Sequence, residues 1–159
     1  MSQTHEEDRR YLEMSEITTP DMANFGGNVH GGHLLQMLDH VAYACGARYA
    51  GKFVVTLSVD QVFFKEPIYV GELVTFYACV NFVGTTSMEV GIRVIAENLL
   101  TRIERHTNTC YFTMVAVDDK GKPTKVPPIT IHNETQQRRF DEAKARREMR
   151  IQMFKMRGK

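Results

Sequence analysis

Asn24-Phe25-Gly26-Gly27-Asn28-Val29-His30-Gly31-Gly32-His33-Leu34-Leu35-Gln36-Met37-Leu38-Asp39-His40 is the stretch that decides how the rest of the chain must fold. Two glycine pairs and two asparagines exclude regular structure over its first half. The second half opens a helix that the apolar spacing carries to about Tyr49. On a helical wheel Leu35, Leu38, Ala42, Cys45 and Tyr49 make one stripe, and Leu34, Met37, Val41 and Ala44 make a second beside it. Gln36, Asp39, His40 and Tyr43 take the other side, with Asp39 at the rim of the apolar arc. A helix apolar over so wide an arc needs a sheet that curls around it.

The sequence on the far side of the helix supplies that sheet. Gly51 is a natural stop for the helix, and beyond it the period changes from helical to two. Phe53 to Phe64 is rich in valine and phenylalanine, and Pro67 and Gly71 punctuate its end. Val74, Phe76, Ala78, Val80 and Phe82 share one face of the next run. Met88, Val90, Ile92, Val94 and Ala96 alternate with Glu89, Arg93 and Glu97. Cys110, Phe112, Met114 and Ala116 oppose Tyr111, Thr113, Val115 and Val117 until Asp118-Asp119-Lys120-Gly121 ends the last strand. Four long strands joined by short turns predict an antiparallel meander, with a short edge strand from about Tyr11 to Ile17. The expected class is α+β, a long central helix wrapped by a curved antiparallel sheet of about five or six strands. An exposed weak edge is a liability that pairing with a second subunit removes, so a homo-oligomer is expected.

Composition agrees with one compact domain. The chain has 159 residues, 43% apolar and 25% charged, with a net charge of +1. No apolar run approaches the ~18 residues of a spanning helix, and the first ten residues are polar and mixed in charge, unlike a signal sequence. Cys45, Cys79 and Cys110 form no CxxC pair and sit among apolar neighbours, which suits packing in a reducing compartment. These features predict a cytoplasmic protein with no membrane partner. Residues 132–159 hold nine Lys or Arg against four Asp or Glu. From Glu134 to about Met156 the tail has no proline or glycine and reads as a charged helix. Its thin apolar seam is Phe140, Ala143, Met149 and Phe154. Either this helix is solvated and packed by that seam, or it offers a basic surface to an anionic ligand. Nucleic acid is disfavoured, because no aromatic platform or recognition motif accompanies the charge. The expected division is a main domain over 1–130 and a basic helical tail over 131–159.

Two chemistries are open at the helix start. The first amides of a helix lack intrahelical partners and carry the positive end of its dipole. Gly31 and Gly32 leave them open to a ligand, so they can polarise a carbonyl oxygen as an oxyanion hole does. Asp39, about two turns further on, can take a proton from water or attack directly. Asn24 and Asn28 can orient the water or the carbonyl. The same residues also fit a satisfied carboxylate at a subunit contact with glycines that merely turn the chain. His30, His33 and His40 invite a metal reading, but the ordered spacing of a motif such as HExxH is missing, and hydrogen bonding within the loop is the alternative.

The run Pro20-Asp21-Met22-Ala23-Asn24, Asn28-Val29-His30-Gly31-Gly32 and Asp39 resembles the signature of hot-dog-fold acyl-CoA thioesterases. The branch it is most similar to contains the cytosolic or brain-type acyl-CoA hydrolase and its single-domain bacterial relatives. Val55-Thr56, Ser58-Val59-Asp60, Phe64, Gly71-Glu72, Thr86-Ser87-Met88-Glu89, Tyr111-Phe112-Thr113 and Val126-Pro127-Pro128 extend the likeness from Tyr11 to Phe140. The resemblance implies hydrolysis of acyl-CoA to free acid and coenzyme A. It implies no metal and no cofactor beyond the coenzyme A of substrate and product. It further implies that Asn24 and Asp39 carry catalysis from opposite subunits of a homodimer, with such dimers assembling into hexamers. A backbone amide at Gly31 or Gly32 then holds the carbonyl oxygen. Asn28, His30, Thr56, Ser58 and the turn Gly84-Thr85-Thr86-Ser87 are the expected contacts for substrate and its phosphates. That turn lacks the arginine of some relatives, and Arg146 and Arg147 of the tail are the expected substitutes.

Two rivals share the fold. A hydroxyacyl dehydratase needs a catalytic histidine well upstream of the helix acid, where this chain has Asn24. A non-catalytic acyl-CoA sensor would lack the acid and carry a DNA-binding extension, and this chain has Asp39 and no such module.

Overall fold

Gly31–Ala50 form the long helix, α1. His30 caps it with its own ring, Nδ1 accepting the Gly32 amide at 2.9 Å. Gly51 ends it at φ 64°, a left-handed conformation natural to glycine, and donates its amide to the Ala47 carbonyl at 2.8 Å. Leu34, Met37, Leu38, Val41, Ala42, Cys45, Gly46 and Ala50 are the buried face. Leu35, expected in the apolar stripe, is 38% exposed. It lies on the flank of the helix that carries Gln36, Asp39 and His40. Tyr49 is half-buried, its hydroxyl donating to the Pro128 carbonyl at 2.9 Å.

The computed structural model describes residues 9–158; most of the polar segment weighed against a signal sequence, residues 1–8, and Lys159 lie outside the described residues. Five strands make one sheet: β1 (Tyr11–Ile17), β2 (Val54–Val59), β3 (Leu73–Val83), β4 (Ser87–Asn98) and β5 (Ile103–Ala116). Their order across the sheet is β1-β3-β4-β5-β2, every neighbour antiparallel. The helix α1 touches all five strands. Val74, Phe76, Val80, Val90, Ile92, Val94, Phe112 and Met114 meet it in one core. Burial of such side chains contributes about 1.5–3 kcal/mol each, before the entropy of ordering them.

The four-stranded meander is corrected in one respect. β3, β4 and β5 are joined as hairpins, but β2 pairs with β5 at the far edge of the sheet. The chain leaving β2 must therefore cross the end of the sheet before it can start β3. It does so as a strap pinned at both sides, with Lys65 donating to the Thr107 carbonyl and Val29 to the Ile68 carbonyl at 2.8 Å. At its end Glu72 and Arg105 make a two-pronged ion pair of 2.7 and 2.9 Å, and Arg105 also donates to the Pro67 carbonyl. Alternation also fails in β3. A register shift between Val80 and Phe82 turns Phe82 to the outer face, where it stacks on Phe140. A bulge does this by placing two residues opposite one.

The tail helix, α2, runs from Glu134 to Met156. Asn133 accepts the Gln136 amide at 2.9 Å and Gln136 accepts the His132 amide at 2.8 Å, a reciprocal cap. α2 lies on the face of the sheet turned away from α1. Of its expected seam Ala143 is buried and Phe140 is half-buried, whereas Met149 and Phe154 are 61% and 71% exposed.

Candidate active site

Asp39 stands half-buried at the edge of α1 that faces β2. Thr56 of β2 donates its hydroxyl to Asp39 Oδ1 at 2.6 Å and also lies 3.6 Å from Met114 Sδ. β2 holds Thr56 towards the helix because it pairs with Met114, a core residue of β5. One carboxylate oxygen is thereby oriented by a short charge-assisted hydrogen bond, leaving Oδ2 to accept a proton. A β-bulge follows at once, between Thr56 and Ser58. Ser58 consequently pairs with Thr113, on the opposite face of the sheet from Thr56. Thr56 and Ser58, both expected contacts for substrate, thus stand on opposite faces of the sheet.

The loop before α1 is closed by its own asparagines. Asn24 Oδ1 accepts the amides of Gly26 at 2.8 Å and Asn28 at 3.2 Å, while the Asn24 amide donates to the Asn28 carbonyl. This leaves the Nδ2 group of the exposed Asn24 without a partner among the described residues. Asn28 bridges to Tyr69 of the strap. Asn24 makes no bond to Asp39 within the chain. At the helix start the two glycines are not equivalent. The Gly32 amide is taken by His30, whereas the Gly31 amide has no partner among the described residues. His30 is thus committed as a cap. Among the described residues no group of three His, Cys, Asp or Glu is gathered that could hold a metal.

The turn Gly84–Ser87 joins β3 to β4 and closes on itself through Gly84 N–H to the Ser87 carbonyl at 2.8 Å. Thr85 and Thr86 use their carbonyls to hold Val126 and Ala116. Gly84 and Thr85 line an open depression of about 350 Å³ with Val83, Lys125, Val126, Pro128, Ile129 and Phe140. Lys125 is the cation at this turn. Of the two tail arginines, Arg146 is engaged elsewhere and Arg147 stays exposed. Arg146 grips the buried Glu89 with bonds of 2.7 and 3.1 Å and lies 3.6 Å above the Tyr111 ring. Arg147 sits over Phe82 at 5.9 Å. Withdrawing Arg146 would strip the buried Glu89 of its two shortest bonds, a cost that a solvated phosphate contact does not return. A larger hollow of about 750 Å³, at Gly51, Lys52, Phe53 and Asp118, contains none of the expected catalytic or substrate-contact residues.

Sequence reasoning missed three features: the direct bond between Thr56 and Asp39, the place of Lys125, and Phe64. The Phe64 ring lies over Gly31, 3.6 Å from where a Cβ would stand there. The spacing of Val55-Thr56 from Phe64 carried that signal, but only the strap's path turns it into a contact.

A single long helix held against a five-stranded antiparallel sheet, with an acid on the helix and a glycine-rich loop at its start, defines a hot-dog protein. The comparisons narrow the class. The profile of the thioesterase superfamily matches residues 26–103. Protein VdlD of Helicobacter pylori is 52% identical over 96% of this chain and 87% of its own length. An apo-hexameric acyl-CoA thioesterase superposes with a TM-score of 0.88 at 36% identity, covering 92% of this chain and 94% of that one. An acyl-CoA hydrolase from Staphylococcus aureus, solved with butyryl coenzyme A, coenzyme A and coenzyme A disulfide, matches with a TM-score of 0.79 at 28% identity over 96% of this chain and 97% of that one. Alanine variants of that hydrolase at an aspartate, an asparagine and a threonine are among the similar structures. The chain belongs to the hot-dog-fold acyl-CoA thioesterase family of the thioesterase superfamily.

Proposed function

We propose that this protein hydrolyses acyl-CoA thioesters to a free carboxylic acid and coenzyme A, with Asp39 as general base. The observation that carries the reading is the 2.6 Å bond from Thr56 to Asp39 Oδ1, which leaves Oδ2 free on a helix whose Gly31 amide is open. Asp39 takes a proton from water, and the hydroxide attacks the thioester carbonyl carbon. The oxyanion is stabilised at Gly31 by its amide and the helix dipole. The carbon–sulfur bond then breaks, and the coenzyme A thiolate recovers the proton from Asp39. The three residues replaced in the Staphylococcus aureus hydrolase are spaced along its chain as Asn24, Asp39 and Thr56 are here.

The second catalytic group is Asn24 of another copy. Asn24 spends its Oδ1 on its own loop and keeps its Nδ2 donor, which suits it to orient water or carbonyl in a neighbouring site. Among the described residues β2 is an edge strand paired on one side only, and Val55, Leu57 and Val59 are 41%, 68% and 41% exposed along it. A homodimer built on this edge covers those side chains and the exposed flank of α1 that bears Asp39. Its further assembly into a hexamer agrees with the hexameric relative. Lys125 and the Gly84–Ser87 turn receive the coenzyme A phosphates.

The test is release of free thiol from an acyl-CoA series, acetyl to palmitoyl, by the wild type, Asp39→Ala and Asn24→Ala. Both variants should lose about 10²-fold or more in kcat. Binding without thiol release by the wild type would favour a sensor. A single turnover in ¹⁸O-water that labels the Asp39 carboxylate would make it the nucleophile instead of the base.

A further inference from the structure

The helix α2 crosses the outer face of the sheet in the order of the strands. Gln136 donates to the Tyr11 hydroxyl of β1 at 3.0 Å, and Phe140 stacks on Phe82 of β3 at 5.1 Å. Arg146 holds Glu89 of β4 and covers Tyr111 of β5. Arg150 reaches Asp60, the residue after β2, at 2.7 Å. This traverse ends where the sheet ends, but the helix does not. The next position on the sheet-facing stripe after Arg150 is Phe154, one turn on. Four residues advance the helix about 6 Å, while strands lie about 4.8 Å apart. Phe154 therefore overhangs the β2 edge by about one strand's width.

The exposed side chains fit that overhang. Met149, Met153, Phe154 and Met156 are 61%, 54%, 71% and 86% exposed, on a helix otherwise dominated by charge. Met149, Met153 and Met156 follow a spacing of four and three, one continuous stripe. Exposed apolar side chains gathered at one end of a charged helix mark a docking surface. The free strand edge directly beneath specifies what docks.

We infer that the last turn of α2 is a docking element for a second copy of this chain, with Phe154 seated on the outer face of that copy's β2. A two-fold axis at the β2 edge continues the sheet across the seam and sets the missing strand under Phe154. Each α2 then straps the neighbouring sheet, and the two helix ends pass antiparallel with their methionine stripes in contact. Val55 is on the face of β2 that receives the ring, since it pairs with Val115 on the face away from α1. This inference rests on the homodimer reading above and adds to it the element that clasps the seam.

The experiment places the photoreactive p-benzoylphenylalanine at position 154 and establishes the mass of the full chain by sedimentation. Irradiation of the assembled protein should give covalent dimers whose adducts map to residues 53–60 of the other copy. In parallel, Phe154→Cys should react with a thiol reagent at least ~10-fold more slowly than Lys144→Cys, whose side chain points to solvent. The native cysteines are all buried and do not compete. A monomeric full chain would remove the homodimer reading itself. An assembled sample with no intermolecular adduct, adducts only within one chain, or equal thiol rates at the two positions would overturn the clasp and leave the homodimer standing.

Discussion

Thr56 Oγ1 lies 2.6 Å from Asp39 Oδ1, so the edge strand β2 holds one oxygen of the only carboxylate on α1. A hydroxyl donating to a charged acceptor is worth up to about 1.5–3 kcal/mol, and much less to stability at an exposed residue whose partner water can replace. Thr56→Val keeps the shape of the side chain and removes the donor. Its kcat should fall about 10-fold with KM little changed, because in the proposed mechanism it orients the base and does not hold substrate. Thr56 is exposed, so the melting temperature should stay within about a degree or two. An equal loss in KM would instead make the hydroxyl a substrate contact.

The proposed sharing of each site between two subunits predicts rescue by mixing. Asp39→Ala and Asn24→Ala, each inactive alone, should recover roughly a quarter of wild-type thiol release when co-refolded, since half the random dimers hold one intact site. No recovery in mixtures shown to exchange subunits would place Asn24 and Asp39 in the same subunit's site.

The two glycines at the start of α1 should respond differently to alanine. At Gly31 a Cβ meets only the Phe64 ring at 3.6 Å, an ordinary contact; at Gly32 it meets His30 Nδ1 at 3.2 Å. Gly32→Ala should cost about 1 kcal/mol by spoiling the cap. Gly31→Ala should melt like the wild type and still lose kcat by crowding the open amide. Matching losses of stability would show that both glycines serve only the turn.

Glu72 and Asp60 should respond to pH with opposite signs. Burial disfavours the Glu72 charge, but the Arg105 guanidinium and the Tyr69 amide outweigh it and hold the carboxyl below its usual range. A depressed carboxyl stabilises the fold above its ordinary value, and the contribution disappears as pH falls through the depressed one. The stability gap between wild type and Glu72→Gln should therefore shrink on acidification. Asp60 is raised by burial, which Arg150 only partly offsets. Its ionisation costs stability as pH rises through the raised value, so Asp60→Asn should lose that cost. Melting curves from neutral to acid pH read both signs. Removing Arg105 alone should cost about 3 kcal/mol, because Glu72 stays buried.

Much of this was legible before the structure. The width of the apolar arc on α1 foretold a wrapping sheet, Gly51 marked the stop, and the absence of breakers from Glu134 to Met156 marked α2. What stayed hidden lay in long-range pairing. Nothing in the period-two runs says that β2 pairs with β5, which decides that Thr56 meets Asp39. The bulges after Val80 and Thr56 break alternation through tertiary pairing, so Phe82 and Ser58 face away from where counting by two puts them. Arg146 looked like a free cation because its partner, Glu89, is 57 residues away in the chain.

The bulge after Thr56 has a consequence for how molecules of this protein can fail. Register in a strand is all or nothing: a slip by one residue sends each side chain to the other face. With β2 slipped, Val55 or Leu57 would stand against Asp39 and no hydroxyl would reach it. Such a molecule would keep its helix, its sheet and its spectrum, and lose the bond that orients Asp39. The irregular residue marks the register, because the observed alignment of β2 on β5 is the one that places it between Thr56 and Ser58.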